Sequence, residues 1–356
     1  MKYSISISGR VLHFRRPAVT SRGIYTERMS WFVEVTDGVH TGVGECAPLP
    51  DLSCDAMPPE KYRKMLQEFC NVVAEEGDID YDAMRDYPSM LFGLETALLS
   101  LAAHQKGSDC LFDTAFARGE QGIPINGLVW MGTYKEMAER MEEKLKQGFR
   151  CIKLKVGAID FNQELELVKK IRNRFSHRDI ELRLDANGMF SYDKRQHACE
   201  RTPDMALYKL ELLSQYAIHS IEQPIKAGQW ANMALLCRDS PLPIALDEEL
   251  IGINAPELKR QLLRIIKPAY IVLKPSLHGG MIGCREWVAL AREEGIGSWI
   301  TSALESNVGL NAIAQFCSDV YGDDVVFPQG LGTGLLFIDN IPMFLDIRGD
   351  RLWIAR

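Results

Sequence analysis

The chain has 356 residues, 46% of them hydrophobic and 25% charged, enough apolar material for a sizeable core and too much for disorder. A formal net charge of −7 with no polybasic stretch speaks against nucleic acid as a partner. No run of 18 apolar residues offers a membrane span, and the opening MKYSISISGR alternates like a strand rather than carrying the apolar core of a secretory signal.

Nine scattered cysteines without CxxC spacing, and seven histidines without an HxxxH pair, argue against zinc or redox motifs and for a reducing, cytoplasmic setting. Along the chain, Tyr3–Phe14 and Met29–Val35 alternate as strands, and Asp37–Gly38 turns the chain into Thr41–Cys46. Helical patterns follow over Pro59–Glu76 and Pro88–Lys106. The second sets Leu91, Leu94, Leu98, Leu101 and Ala102 on one face and stops at Gly107. Strands followed by helices predict an α+β unit over residues 1–122.

From Ile123 the pattern changes to short apolar runs, each followed by a helical stretch. Strands are expected at Ile123–Val129, Cys151–Val156, Leu182–Asp185 and Ala217–Glu222. Four more are expected at Ile244–Asp247, Tyr270–Lys274, Ser298–Ser302 and Val325–Phe327. This α/β alternation predicts a parallel sheet closing as a modified TIM-type (β/α) barrel over 123–335. A hairpin around Arg348–Gly349–Asp350 ends the chain, and 336–356 is expected to return to the first unit.

Charged residues stand where those apolar strands end. Lys153 and Lys155 lie in IKLKVG, Asp185 in LRLDANG, Glu222 in SIEQP, Asp247 in ALDEE and Lys274 in IVLKPS. From Lys155 onward the separations are 30, 37, 25 and 27 residues, each close to one barrel unit. Catalytic groups of such barrels gather at the C-terminal ends of the strands. Taken singly, a lysine there is a solvated surface residue, and a carboxylate such as Asp247 caps the next helix. Two lysines at i and i+2, however, share one face of a strand while Ile152, Leu154 and Val156 take the other. Enclosed cations need anions, and Asp185, Glu222 and Asp247 are the acids within reach. Three carboxylates without histidine or cysteine partners form an all-oxygen set, which selects magnesium, with manganese as a substitute, over zinc. Lys274 would close the group from the opposite wall, facing Lys155 across the metal and a small-molecule carboxylate. Neighbouring cations also lower the pKa of a lysine from about 10.4 towards the range of a useful base.

As an ordered set, KxK followed by D, E, D and K on successive strands resembles the enolase superfamily, in its muconate-lactonizing-enzyme-like subgroup. The resemblance covers essentially the whole chain, and it makes the first unit a capping domain. Within the subgroup, TSRGIYTER, GVGECAPLPDLS, ITSALESNVGLNAIAQ and QGLGTGLLF resemble the branch that dehydrates 2-succinyl-6-hydroxy-2,4-cyclohexadiene-1-carboxylate in menaquinone biosynthesis. The resemblance makes Lys155 the residue that removes the α-proton and protonates the departing hydroxyl, with Lys153 its electrostatic partner. Asp185, Glu222 and Asp247 match the magnesium ligands, and Lys274 the second lysine. Arg183, Asn187 and Glu248 sit beside ligands and are candidates for supporting them. Ser302 lies where contacts to the substrate carboxylate are expected.

In this family the loops Thr20–Thr26 and Ala47–Ser53 close over the barrel mouth, with Thr26, Glu27 and Arg28 as polar candidates. Dipeptide epimerases carry DxD after the eighth strand. Here that place reads GLGTG and Asp323–Asp324 precede it, which disfavours a cationic dipeptide. The same lysines would also serve an N-acylamino acid racemase as opposed bases. Readings from other classes are a metal-free barrel aldolase with a Schiff-base lysine and a non-catalytic scaffold. Self-association as a homo-oligomer is left open by the sequence.

Overall fold

The computed structural model describes residues 2–20, 23–191, 205–322 and 325–355. Asp323–Asp324, singled out above, and Cys199 lie outside the described residues. The chain opens on an antiparallel sheet of β1 (Ser4–Thr20), β2 (Gly23–Thr36) and β3 (Thr41–Cys46), in that order. Asp37 makes the second turn: its Oδ1 accepts from the N–H groups of Val39 and His40 at 2.8 and 2.7 Å. Three helices follow, α1 (Pro59–Glu76), α2 (Tyr81–Met84) and α3 (Pro88–Gln105). Both long helices begin with proline, which gives up no intrahelical bond there, and end where Gly77 and Gly107 take positive φ.

The alternate glycines of TGVGEC let β3 lie backbone to backbone on α3. A Cβ on Gly44 would stand 1.8 Å from the Gly93 carbonyl oxygen, and one on Gly42 2.1 Å from that of Ala97. Trp31 and Val33, Tyr62 and Leu66, and Leu91 and Leu94 fill the core between sheet and helices.

After β4 (Ile123–Pro124) come β5 (Gly127–Val129), α4 (Tyr134–Lys146), β6 (Cys151–Lys155), α5 (Phe161–Arg172) and β7 (Glu181–Asp185). The alternation continues through α6 (Ala206–Ser214), β8 (Ser220–Glu222), α7 (Trp230–Asp239) and β9 (Ile244–Leu246). It ends with α8 (Pro256–Ile266), β10 (Tyr270–Leu273), α9 (Gly280–Glu293), β11 (Gly297–Ile300) and α10 (Asn307–Tyr321). Strands β5 to β11 form one curled parallel sheet in chain order. Ile152, Leu154 and Val156 share the core with Leu167, Val168 and Ile171 of α5, so the apolar side of β6 does face the helices.

Two residues bridge the seam of this sheet. Gln329 N–H donates to the Pro124 carbonyl at 2.8 Å, and Gly330 N–H to that of Ile300 at 2.8 Å. The eighth strand expected at Val325–Phe327 is therefore displaced to 329–330. The apolar run there reflects packing rather than pairing, because the Phe327 ring meets Tyr270, Trp299 and His219 at 5.6, 6.1 and 5.9 Å. At the seam itself a Cβ on Gly330 would stand 2.1 Å from Thr301 Oγ1.

The expected first barrel strand is also shorter than Ile123–Val129. Only Gly127–Val129 pairs with β6, while β4 pairs antiparallel with the C-terminal hairpin of β12 (Leu345–Arg348) and β13 (Arg351–Ile354). The tail thus goes two ways. Leu336 and Ile338 bond to Arg15 and His13 of β1, whereas the hairpin extends β4 instead of the capping sheet.

Two buried carboxylates of the capping domain hold barrel helices by their N-termini. Glu45 accepts from Ser306 N–H and Gly309 N–H, both at 2.9 Å, at the start of α10. Glu95 accepts from Met281 and Ile282 N–H at 2.5 and 3.0 Å at the start of α9.

Candidate active site

Register builds the site. Lys155, Asp185 and Glu222 stand in one row across β6, β7 and β8. Glu222 then pairs with Ala245, two residues before Asp247, and Ala245 with Tyr270, four residues before Lys274. The charged positions climb along the strands as they proceed around the sheet, the stagger that tilted barrel strands require. All six side chains consequently arrive at one mouth.

There the ammonium groups thread between the acids. Lys153 Nζ lies 2.7 Å from both Glu222 oxygens and 3.0 Å from Asp185 Oδ2. Lys155 Nζ donates to Asn187 Oδ1 at 2.7 Å and stands 3.3 Å from Asp185 Oδ2. Lys274 pairs with Asp247. Among the described residues no three acidic, histidine or cysteine side chains converge as a ready metal cluster, since lysines stand between them.

Burial alone would depress Lys153, but Asp185 and Glu222 outweigh it and hold its pKa well above the ordinary lysine value. The same balance, led by Asp247, raises Lys274. The lowering expected from neighbouring cations is therefore not found for these two, because the acids are nearer. Burial would raise Asp185, yet Lys153 and Lys155 hold it down. For Glu222, burial and the charge of Asp185 together push the pKa up to about 8.

Asp247 Oδ1 and Glu248 Oε2 are buried without a hydrogen-bond partner. Asp185, Glu222, Asp247 and Glu248 are four carboxylates against the three ammonium groups of Lys153, Lys155 and Lys274. Buried hard oxygens lacking donors, within one group of four carboxyls, fit a hard divalent ion.

The residues beside the acids divide. Asn187 N–H donates to Asp185 Oδ1 at 3.1 Å, and its side-chain amide joins Lys155 to Glu248. Burial, then Asp247, raises Glu248 to about 7. Arg183 belongs elsewhere: it donates to Glu181 at 2.6 Å and to the Pro328 carbonyl at 2.9 Å, with its guanidinium 4.2 Å from the Trp299 ring. It is two residues before Asp185 on the same strand face, one layer down the barrel.

Ser302 lines the cavity, and its Oγ lies 2.6 Å from Thr333 Oγ1. Thr333 escaped the sequence reading, although it sits in the GLGTG stretch. Trp130, at the mouth end of β5, was missed too; its ring centroid lies 5.5 Å from Lys155 Nζ. Its place just past a barrel strand is the signal that the sequence offers for it. From the capping domain Tyr25 of β2 and the loop residues Leu49 and Leu52 reach the cavity. Thr26 and Glu27 are exposed, and Arg28 is buried, donating to the carbonyls of Ala47 and Ala303. Leu49 and Leu52, lone apolar residues in a loop, carry no chemical signature, so sequence could not single them out.

A parallel barrel under an α+β cap, with lysines and carboxylates meeting at its mouth, is the architecture of the enolase superfamily. Residues 136–326 match the family described as enolase C-terminal domain-like, and 3–101 match the MenC N-terminal domain. The o-succinylbenzoate synthase of Desulfotalea psychrophila is 43% identical over 97% of each chain. The crystal structure of MenC from that organism superposes with a TM-score of 0.79 at 39% identity, covering 99% of this chain and all of the other. This chain belongs to the o-succinylbenzoate synthase family. An L-Ala-D/L-Glu epimerase from Bacillus subtilis, 21% identical with a TM-score of 0.79 over the whole of this chain and 97% of its own, shares the fold.

Proposed function

We propose that the chain is a carbon–oxygen lyase that dehydrates 2-succinyl-6-hydroxy-2,4-cyclohexadiene-1-carboxylate to o-succinylbenzoate on the route to menaquinone. The observation that carries the reading is that Lys155 and Lys274, four strands apart in an eight-position barrel, line one cavity together with Asp185, Asp247 and Glu248.

Lys155, as the free amine, takes the proton from the ring carbon that bears the carboxylate. The electron pair left behind forms a ring double bond as the C–O bond to the neighbouring hydroxyl breaks. The proton on Lys155 goes to that hydroxyl, which leaves as water. One base serving both steps makes the elimination syn, and aromatisation of the ring supplies the driving force. Asn187 aims the Lys155 ammonium. Lys274, from the opposite wall, presents its cation to the other ring face. Lys153, held by Asp185 and Glu222, adds positive charge where the substrate carboxylate becomes electron-rich.

Asp185, Glu222 and Asp247 would hold magnesium, with manganese as a substitute, and the bound ion withdraws electron density from the substrate carboxylate and so acidifies the α-carbon. Cys46, Cys70, Cys151, Cys284 and Cys317 are buried thiols, which goes with a cytoplasmic setting.

Parallel assays test the assignment. Purified protein should dehydrate the cyclohexadiene substrate much faster than it exchanges the α-proton of N-succinyl amino acids with deuterated water. The reverse ranking makes it a racemase.

A further inference from the structure

Gln223 follows Glu222 directly, and it has a backbone conformation that only glycine adopts freely: φ is +39°. It is wholly buried. A non-glycine residue is held there only where its surroundings over-determine it, and around Gln223 they do.

Its side-chain Oε1 accepts from Asp247 N–H and Glu249 N–H, both at 3.2 Å. Nε2 donates to the Ile225 carbonyl at 3.0 Å and to Glu249 Oε2 at 3.1 Å. Its main chain donates to the Ala245 carbonyl at 2.9 Å and accepts from Gly188 N–H at 2.6 Å. One residue thus bonds the ends of β7, β8 and β9, behind Asp185, Glu222 and Asp247. Glu249 completes the frame by accepting from Gly228 N–H at 2.8 Å.

β8 and β9 have only three strand residues each. Among the described residues the register of β9 with β10 ends at Leu246, one residue before Asp247, whose φ and ψ of −125° and −82° belong to neither strand nor helix. The Gln223 amide holds the Asp247 backbone there.

We propose that Gln223 is a positioning residue of the site: its amide clamps the Asp247 backbone against the strand end that carries Glu222, setting the spacing of the two carboxylates for the cation. Only a primary amide serves. Glutamate keeps the acceptor for Asp247 and Glu249 but offers no donor to Ile225 and faces the Glu249 carboxylate. Methionine keeps the volume and loses both functions. The proposal rests on the metal reading given above.

Magnesium alone, titrated calorimetrically into the full-length protein, tests it. Affinity should fall in the order native, Gln223→Glu, Gln223→Met, with the methionine variant down by about ten-fold or more, the usual scale for groups that orient a metal ligand. Excess magnesium should restore much of the Gln223→Met dehydration rate, which a general packing defect would not allow. Should Gln223→Met fail to fold, Gln223→Glu carries the same two comparisons. Native affinity in a folded variant, or activity that excess magnesium leaves unrestored, overturns the proposal. Native protein that takes up no magnesium overturns the metal reading instead.

Discussion

Lys155 directs its shortest hydrogen bond, 2.7 Å, to the neutral amide oxygen of Asn187 rather than to an acid. Its nearest carboxylate oxygen, on Asp185, is 3.3 Å away. A neutral acceptor can orient the amine without trapping it in a tight ion pair, while Lys153 neutralises Asp185 and Glu222 from the strand position below. The division of labour between the two lysines of KxK follows from this contact.

Asn187→Ala should therefore lower kcat for dehydration by roughly ten- to a hundred-fold, the worth of about 1.5–3 kcal/mol for a hydrogen bond to a charged group. KM should change little, because the substrate loses no contact of its own. Steady-state kinetics at saturating magnesium separate the two parameters. A rise in KM alone would place Asn187 against the substrate.

Lys155→Ala removes the one group assigned to both proton steps. Dehydration should fall by at least about 10² to 10⁴, the usual contribution of a positioned acid–base residue. Calorimetry should still find magnesium binding, since the three acids remain. Turnover near the native rate would mean that the base is another residue.

Asp247 supplies a buried oxygen without a partner, and Lys274 is its only ion-pair partner among the described residues. Asp247→Ala should weaken magnesium binding and activity together. In the native protein, EDTA should abolish dehydration and added magnesium restore it. Activity that survives EDTA would favour a Schiff-base mechanism, detectable by borohydride trapping of substrate.

Glu95, buried between α3 and the start of α9, responds to pH. Burial raises its pKa from an ordinary 4.5 to about 8, against the pull of the Met281 and Ile282 N–H groups. The folded state then holds the proton more tightly than the unfolded chain does. The stability this contributes is full below about 4.5 and is lost as pH rises through about 8. Thermal unfolding should show native protein losing more stability between pH 6 and 9 than Glu95→Gln. Parallel pH curves for the two would assign the loss to other groups.

The sequence was most legible where local pattern carries the physics. The two long helices fall within a residue of their expected bounds because proline starts and glycine stops act over one turn. The barrel strands were likewise legible, β6 and β7 from apolar residues alternating with charged ones and β10 from a continuous apolar run. The eighth strand was misplaced because Phe327 is apolar for the barrel interior, and no local signal distinguishes that from pairing. Thr333, Trp130 and Tyr25 stayed hidden for a related reason: each acquires its role from a neighbour far along the chain.

Residue order alone determined that lysines and acids would recur at barrel-unit intervals, because side-chain alternation and strand–helix spacing are short-range properties. Only the tertiary structure decided that Arg183 turns to an aromatic layer below, that Lys153 rather than Lys155 takes the tight ion pairs, and that Gln223 locks Asp247 in place. Those outcomes depend on the stagger between strands and on the closing of a seam by Gln329 and Gly330, which are set by contacts between residues distant in sequence.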